Sequence, residues 1–301
     1  MTKHTINGAD LYCWKQWALE LAKENNVDAN EIDWLLQGLT SLSNLSLRLE
    51  NYQNQKDILS QVPITTLSKK WQQRINNRTP VQYLVGETPW RDFSLSVTPD
   101  VLIPRPETEL IIDIAKDLVE QSPIKQQLLE GHWADLGTGS GAIAIALAKQ
   151  FPRATIHAVD ISEEALTVAR FNALQNSLAN HIKFYKGSWL SPISTLQGQL
   201  CGILSNPPYI PTSVISTLQV EVRKHEPHLA LDGGMDGLSS TRTLIKAGAT
   251  YLKTGGVWIL ELMANQAENV VTLLEAQNSY IDINIHEDMS GIQRFVSARK
   301  A

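Results

Sequence analysis

The chain predicts an α/β fold: a doubly wound, mostly parallel seven-stranded sheet behind a small N-terminal all-helical domain. Three observations point there. Residues 8 to about 78 carry apolar side chains at helical spacing. A proline-punctuated stretch of short extended pieces follows, to about residue 105. Beyond it, apolar strands alternate with helical segments to the C-terminus, as βαβ units require.

In the first region Leu11, Trp14, Ala18, Leu21 and Ala22 share one helical face, and Ile32, Leu35, Leu36 and Leu39 another. Leu45, Leu47, Leu49 and Tyr52 follow with a less regular period, and Pro63 opens a helix through Leu67, Trp71 and Ile75. Four of the eight tryptophans (Trp14, Trp17, Trp34, Trp71) lie here and are assigned to a local core. Lys70, Arg74 and Arg78 recur every fourth residue, so they share a face, read as solvated. The domain is placed at 1–78, a hairpin linker at 79–105 and the catalytic domain at 106–301. In the linker, Pro80 to Gly86 and Phe93 to Val97 read as extended, the second with period two.

A helix is expected from Pro106 to about Glu120, with proline in its first turn and Glu107 and Glu109 at its positive end. Then come strand 133–136, helix 142–149, strand 155–159, helix 163–176 and strands 182–185 and 201–204. Helix 238–252, strand 257–262, helix 264–276 and closing strands 281–285 and 294–298 complete the chain.

Composition narrows the function. Hydrophobic content of 43% and charged content of 19% are ordinary for a globular protein. No run of about eighteen apolar residues occurs, and Met1 to His4 does not open a signal peptide, so a cytoplasmic location is expected. Cys13 and Cys201 form no CxxC pair and read as structural thiols. Residues 1–87 carry equal numbers of basic and acidic side chains, so the whole net charge of −5 falls on residues 88–301. Such a region is a poor duplex-DNA binder, which needs a basic footprint.

Chemistry concentrates in Asn206-Pro207-Pro208-Tyr209, directly after the apolar run 202–204. Two prolines stop a strand and stiffen what precedes them. The Asn206 side-chain carbonyl and the Pro207 backbone carbonyl can together accept both hydrogens of one –NH2 group. Tyr209 offers a face on which a planar amide or base can stack. Binding both N–H bonds lets a delocalised nitrogen pyramidalise and aims its lone pair, with no strong base needed. Taken alone, the tetrapeptide also fits a plain turn.

Upstream, Asp135-Leu136-Gly137-Thr138-Gly139-Ser140-Gly141 opens into a helix. A glycine loop allows close ligand approach and also suits a dinucleotide. Here, however, the spacing is not GxGxxG, and an acid precedes the glycines. The next strand ends in Asp160, where a carboxylate can take both ribose hydroxyls.

Acid, glycine loop, Asp160 and Asn-Pro-Pro-Tyr, in that order, resemble the class I S-adenosylmethionine (SAM)-dependent methyltransferases. More of the chain resembles one family among them, the PrmC/HemK N5-glutamine methyltransferases of peptide chain release factors. The resemblance is carried by Thr79 to Gly86, Val101 to Glu109, Asp135 to Ala148, Glu226-Pro227, Leu229 to Leu238 and Asp288 to Phe295. The run Pro104 to Glu109 and the loop Asp232-Gly233-Gly234-x-Asp236-Gly237 are its most specific parts. It implies an enzyme that takes SAM, releases S-adenosylhomocysteine, uses no metal, and methylates the glutamine of the Gly-Gly-Gln loop of class I release factors. By position, Gly137, Thr138, Gly139, Ser140, Gly141, Asp160, Trp189 and Asn206 would contact the cofactor. Asn206, Pro207, Pro208 and Tyr209 would hold the glutamine amide, with Asn206, Pro207 and Tyr209 catalytic.

The helical domain would help dock the release factor. A monomer is expected, with neither membrane attachment nor stable nucleic-acid binding. The chain departs from the family pattern at Ser188, where an acid is common, and at Leu262-Met263 after Glu261, where glycine is. His225 and His228 flank Glu226-Pro227 and read as surface-loop histidines rather than a catalytic base. Glutamine methylation of a ribosomal protein and N6-adenine methylation of nucleic acid are the alternatives, and a non-catalytic cofactor-binding regulator is a third.

Overall fold

The computed structural model describes residues 4–301. It resolves into two compact units, residues 4–87 with 219–225, and residues 88–218 with 226–301. In the first unit, helices α1 (Gly8–Glu24), α2 (Asn30–Leu39), α3 (Asn44–Leu49), α4 (Ile64–Asn77) and α5 (Val81–Val85) enclose a local core. Two of its tryptophans are anchored by their ring N–H: Trp71 donates to Ala18 O at 3.1 Å and Trp14 to Ser68 Oγ at 3.0 Å. Trp17 and Trp34 are only half-buried against it.

Three corrections arise here. The unit expected to be all-helical also holds an antiparallel ladder, β1 (His4–Ile6) on β2 (Ile58–Ser60). Three residues a strand are too few to show a period of two. Residues 81–85 are helical, not extended: Pro80 opens a single turn, and Gly86, at φ +93°, closes it by donating to Gln82 O at 2.7 Å. The valines there favour strand in isolation, and tertiary packing overrides that preference.

The face of Lys70, Arg74 and Arg78 is likewise not solvated. Arg74 is 4% exposed, paired with Glu31 and with Glu221 at 3.0 Å. Arg78 meets Glu221 at 2.8 Å, and Lys70 donates to Leu84 O at 2.7 Å. Glu221 comes from residues 219–225, far along the chain, so sequence spacing could not reveal this partner.

The second unit opens with the hairpin β3 (Glu87–Trp90) and β4 (Phe93–Ser96), then a 3-10 turn over Pro106–Glu109, α6 (Leu110–Glu120) and α7 (Lys125–Glu130). There follow β5 (His132–Leu136), α8 (Ala142–Gln150), β6 (Thr155–Asp160), α9 (Glu163–Gln175), β7 (Ile182–Lys186) and β8 (Leu200–Ser205). After α10 (Val220–His225), counted with the first unit, come α11 (Ser239–Tyr251), β9 (Leu252–Glu261), α12 (Ala267–Ala276), β10 (Tyr280–Glu287) and β11 (Gln293–Lys300). The sheet order is β10-β11-β9-β8-β5-β6-β7, parallel except for β11, which runs antiparallel to both neighbours.

Successive strands step outward from β5 through β6 to β7, then return to β8 on its other side. That reversal opens a crevice beyond the carboxyl ends of β5 and β8, where such sheets bind ligands. Apolar layers cover both faces, one centred on Trp133 and α8, the other on Trp258 and α11. Of the two thiols, Cys201 is buried and Cys13 exposed.

Candidate active site

A cavity of about 350 Å3 lies in the second unit at these strand ends. Gly137, Thr138, Gly139, Ser140, Asp160, Trp189, Asn206 and Pro208 line it. Gly141, Pro207 and Tyr209 do not. Gly141, at φ +85°, instead brings the start of α8 against α9, where an added Cβ would stand 3.1 Å from the Ala169 Cβ.

The glycine loop is wound back on β6. Gly137 and Thr138 donate to Val159 O at 2.9 and 3.0 Å, and Gly139 donates to Asp160 Oδ2 at 2.8 Å. Those donors are therefore spent internally. A pyrophosphate needs them free, and Asp160 adds negative charge beside them, so the dinucleotide reading fits poorly. What the loop offers is space: a Cβ at Gly139 would meet nothing within 4 Å, and one at Gly137 only the Trp189 ring at 3.6 Å. Asp160 Oδ1 accepts from Ser162 N at 2.9 Å. Each oxygen keeps a further lone pair for a ligand hydroxyl. A cavity with a carboxylate at the second strand, the Trp189 ring and open glycines can hold a nucleoside carrying a small polar tail.

Asp135 shapes this loop from below. It is fully buried and accepts from Thr138 Oγ1 at 2.5 Å and Ala144 N at 3.0 Å. Burial dominates, pushing its carboxyl up to about 7 against those two donors.

Asn206-Pro207-Pro208-Tyr209 leaves β8 where Ser205 Oγ donates to Leu136 O at 2.5 Å, tying the ends of β8 and β5 together. Gln266 clamps the far end, donating to Tyr209 O at 3.0 Å while its Oε1 accepts from Met263 N at 3.1 Å. The loop 232–237 backs the tetrapeptide closely. A Cβ at Gly237 would stand 2.3 Å from Tyr209 O, and one at Gly233 2.8 Å from Pro208 O. Those glycines are a packing requirement. Asp232 Oδ1 braces the same loop from Thr212 Oγ1 and Gly234 N, at 2.7 and 2.9 Å.

The run Pro104 to Glu109 forms another wall. Arg105 Nη2 grips Glu226, which is 6% exposed, at 2.7 and 2.9 Å. Thr108 Oγ1 accepts from Asn206 Nδ2 at 3.2 Å. Tyr209 OH donates to Glu261 Oε1 at 3.4 Å, and burial raises both groups, Glu261 to about 7. Sequence reading missed Thr108, Glu261 and Gln266 as partners of the tetrapeptide. Their polar side chains near the ends of predicted elements were the one signal in the sequence, and it names no partner.

No hydrogen bond ties either histidine to the tetrapeptide among the described residues. His225 Nε2 lies 2.8 Å from Asn77 O within the first unit, and His228 is exposed. Ser188 lines the cavity.

Comparison with known proteins adds to this geometry. Residues 110–235 match the methyltransferase small domain family. A release factor glutamine methyltransferase of Synechocystis is 48% identical over 299 residues, 99% of each chain. One from Thermosynechococcus vestitus is 46% identical, covering 98% of this chain and 99% of that one. One from Gloeobacter violaceus is 42% identical, covering 94% of each. Among solved structures, the hMettl16 catalytic domain in complex with the MAT2A 3′UTR hairpin 6 aligns over 88% of each chain with TM-score 0.56 and 11% identity, a likeness of fold.

Proposed function

The chain belongs to the release factor glutamine methyltransferase family, and we propose that it transfers a methyl group from S-adenosylmethionine to the side-chain nitrogen (N5) of the glutamine in the Gly-Gly-Gln motif of class I release factors. The observation that carries the reading is Asn206 on the cavity wall at the end of β8, with Pro208 beside it on the same wall. Bound SAM supplies a methyl group on a sulfonium, a strong electrophile with a neutral leaving group.

The protein's own residues then position rather than activate. Asp160 accepts the ribose hydroxyls, Trp189 gives the adenine a flat face, and the loop Gly137, Thr138, Gly139 and Ser140 leaves room for the amino-acid tail, while Gly141 seats α8 on α9 behind it. Asn206 Oδ1 and Pro207 O accept the two N–H bonds of the acceptor amide, while Pro208 and Tyr209 hold its plane. So bound, the nitrogen can pyramidalise and present its lone pair to the methyl group. A carbon–nitrogen bond forms as the carbon–sulfur bond breaks, and the surplus proton leaves the nitrogen for water.

The first unit serves to dock the release factor. A cytoplasmic monomer accords with an enzyme of translation factors. Among the described residues no helix is long and apolar enough to cross a membrane.

The test is transfer of labelled methyl from SAM to purified release factors, with ribosomal proteins and adenine-bearing DNA as competing acceptors. Label on release factors alone, abolished by Asn206→Ala, supports the reading. Label on ribosomal protein or DNA instead overturns the substrate.

A further inference from the structure

An asparagine amide has two ends, and only one of them suits an acceptor –NH2 group. Oδ1 must face the substrate, because a donor facing a donor repels. In this structure Asn206 Nδ2 donates to Thr108 Oγ1 at 3.2 Å. Thr108 is 4% exposed, sits on the 3-10 turn Pro106–Glu109 and lines the cavity. Its hydroxyl also interacts with the carboxylate of Glu261, which is 1% exposed. That carboxylate receives the Tyr209 hydroxyl on Oε1, and Oε2 has no hydrogen-bond partner among the described residues.

The polarity of this chain follows from the inventory of protons. Above a pH of about 7 the Glu261 carboxyl is ionised and only accepts, so Thr108, with a single proton, gives it to Glu261. Its lone pairs are then the only groups it can turn toward Asn206, and they call for the –NH2 end. A flipped Asn206 would set Oδ1 against those lone pairs, acceptor facing acceptor, with neither satisfied. We propose that Thr108 and Glu261 are positioning residues for the transfer, fixing which end of the Asn206 amide faces the acceptor. Neither touches the acceptor in this scheme, and Glu261 acts through Thr108. The proposal rests on the amide-binding role given to Asn206 above. It also gives the run Pro104 to Glu109 a task in the reaction.

The test removes one hydroxyl. Thr108→Val and Thr108→Ala are compared with Thr108→Ser and the unaltered protein, using a release factor and SAM at saturation, at a pH above about 7 where Glu261 is ionised. SAM affinity is read by calorimetry and melting temperature by circular dichroism. Thr108→Val should lower kcat on the order of 100-fold, the scale of a misplaced reacting group. SAM affinity and melting temperature should stay where they were, and Thr108→Ser should restore most of the rate.

A wild-type kcat in either Thr108→Val or Thr108→Ala overturns the proposal. So does a loss of rate that Thr108→Ser fails to rescue, or one that follows a matching loss of SAM affinity or of melting temperature in both. If the unaltered protein itself transfers nothing to release factors, the functional reading fails, and this proposal with it.

Discussion

In the proposed site, Asp160 serves structure and ligand together. Its two oxygens already take backbone N–H groups from Gly139 and Ser162, which fixes the carboxylate plane and leaves one lone pair on each oxygen. Asp160→Ala should weaken SAM binding roughly 10- to 100-fold, the worth of one or two hydrogen bonds to a charged group. Calorimetric titration reads this directly. Glu261 gives a prediction in pH. Burial raises its carboxyl from the ordinary 4.5 to about 7, so the folded state holds that proton more tightly than the unfolded chain does. Its contribution to stability is therefore complete below pH about 4.5 and is lost as the pH rises through about 7. His157, lowered by burial to about 4, works in the opposite direction between about 4 and 6.5, so the raw curve mixes both signs. The difference between proteins isolates Glu261. Urea midpoints of Glu261→Gln should gain on the wild type as pH rises from 5 to 7 and level off above, as expected for a site that gives up stability for function.

At the scale of elements, the strand ends are where sequence and structure meet most closely. Glycine at 202 is required by packing: an added Cβ would stand 2.1 Å from the ring of Trp133, its register partner on β5. Gly202→Ala should cost about 1–3 kcal/mol by overpacking and lower the melting temperature. Acid, glycine loop, Asp160 and Asn206 were legible in the sequence because each is tied to an apolar strand with a sharp end. Their neighbours were not. Thr108 meets Asn206 across 98 residues and Gln266 meets Tyr209 across 57, and no local pattern encodes such pairings. The turn 81–85 was misread for the same reason, since valine and tyrosine favour a strand until their surroundings are known.

At the scale of the whole molecule, the alternation of strands and helices made the seven-stranded sheet readable, as β-α periodicity survives without tertiary knowledge. The first unit was less so. Its charged row Lys70, Arg74 and Arg78 looked solvated, yet Arg74 is buried between Glu31 and Glu221, and residues 219–225 join that unit from far along the chain. Removing one member of such a buried ion cluster leaves charge without a partner. Arg74→Ala should destabilise the first unit by about 3–5 kcal/mol, measured as an earlier unfolding transition in denaturant.

In the proposed mechanism the acceptor amide is held by both of its N–H bonds. Once methylated, the nitrogen has a single N–H left and can no longer satisfy Asn206 and Pro207 together. Tandem mass spectrometry of a release factor after prolonged incubation with the protein and excess SAM tests this most directly. One methyl group is expected, on the glutamine side chain of the Gly-Gly-Gln motif, and no second. An unmodified glutamine, a methyl group on another residue, or a dimethylated nitrogen would contradict it.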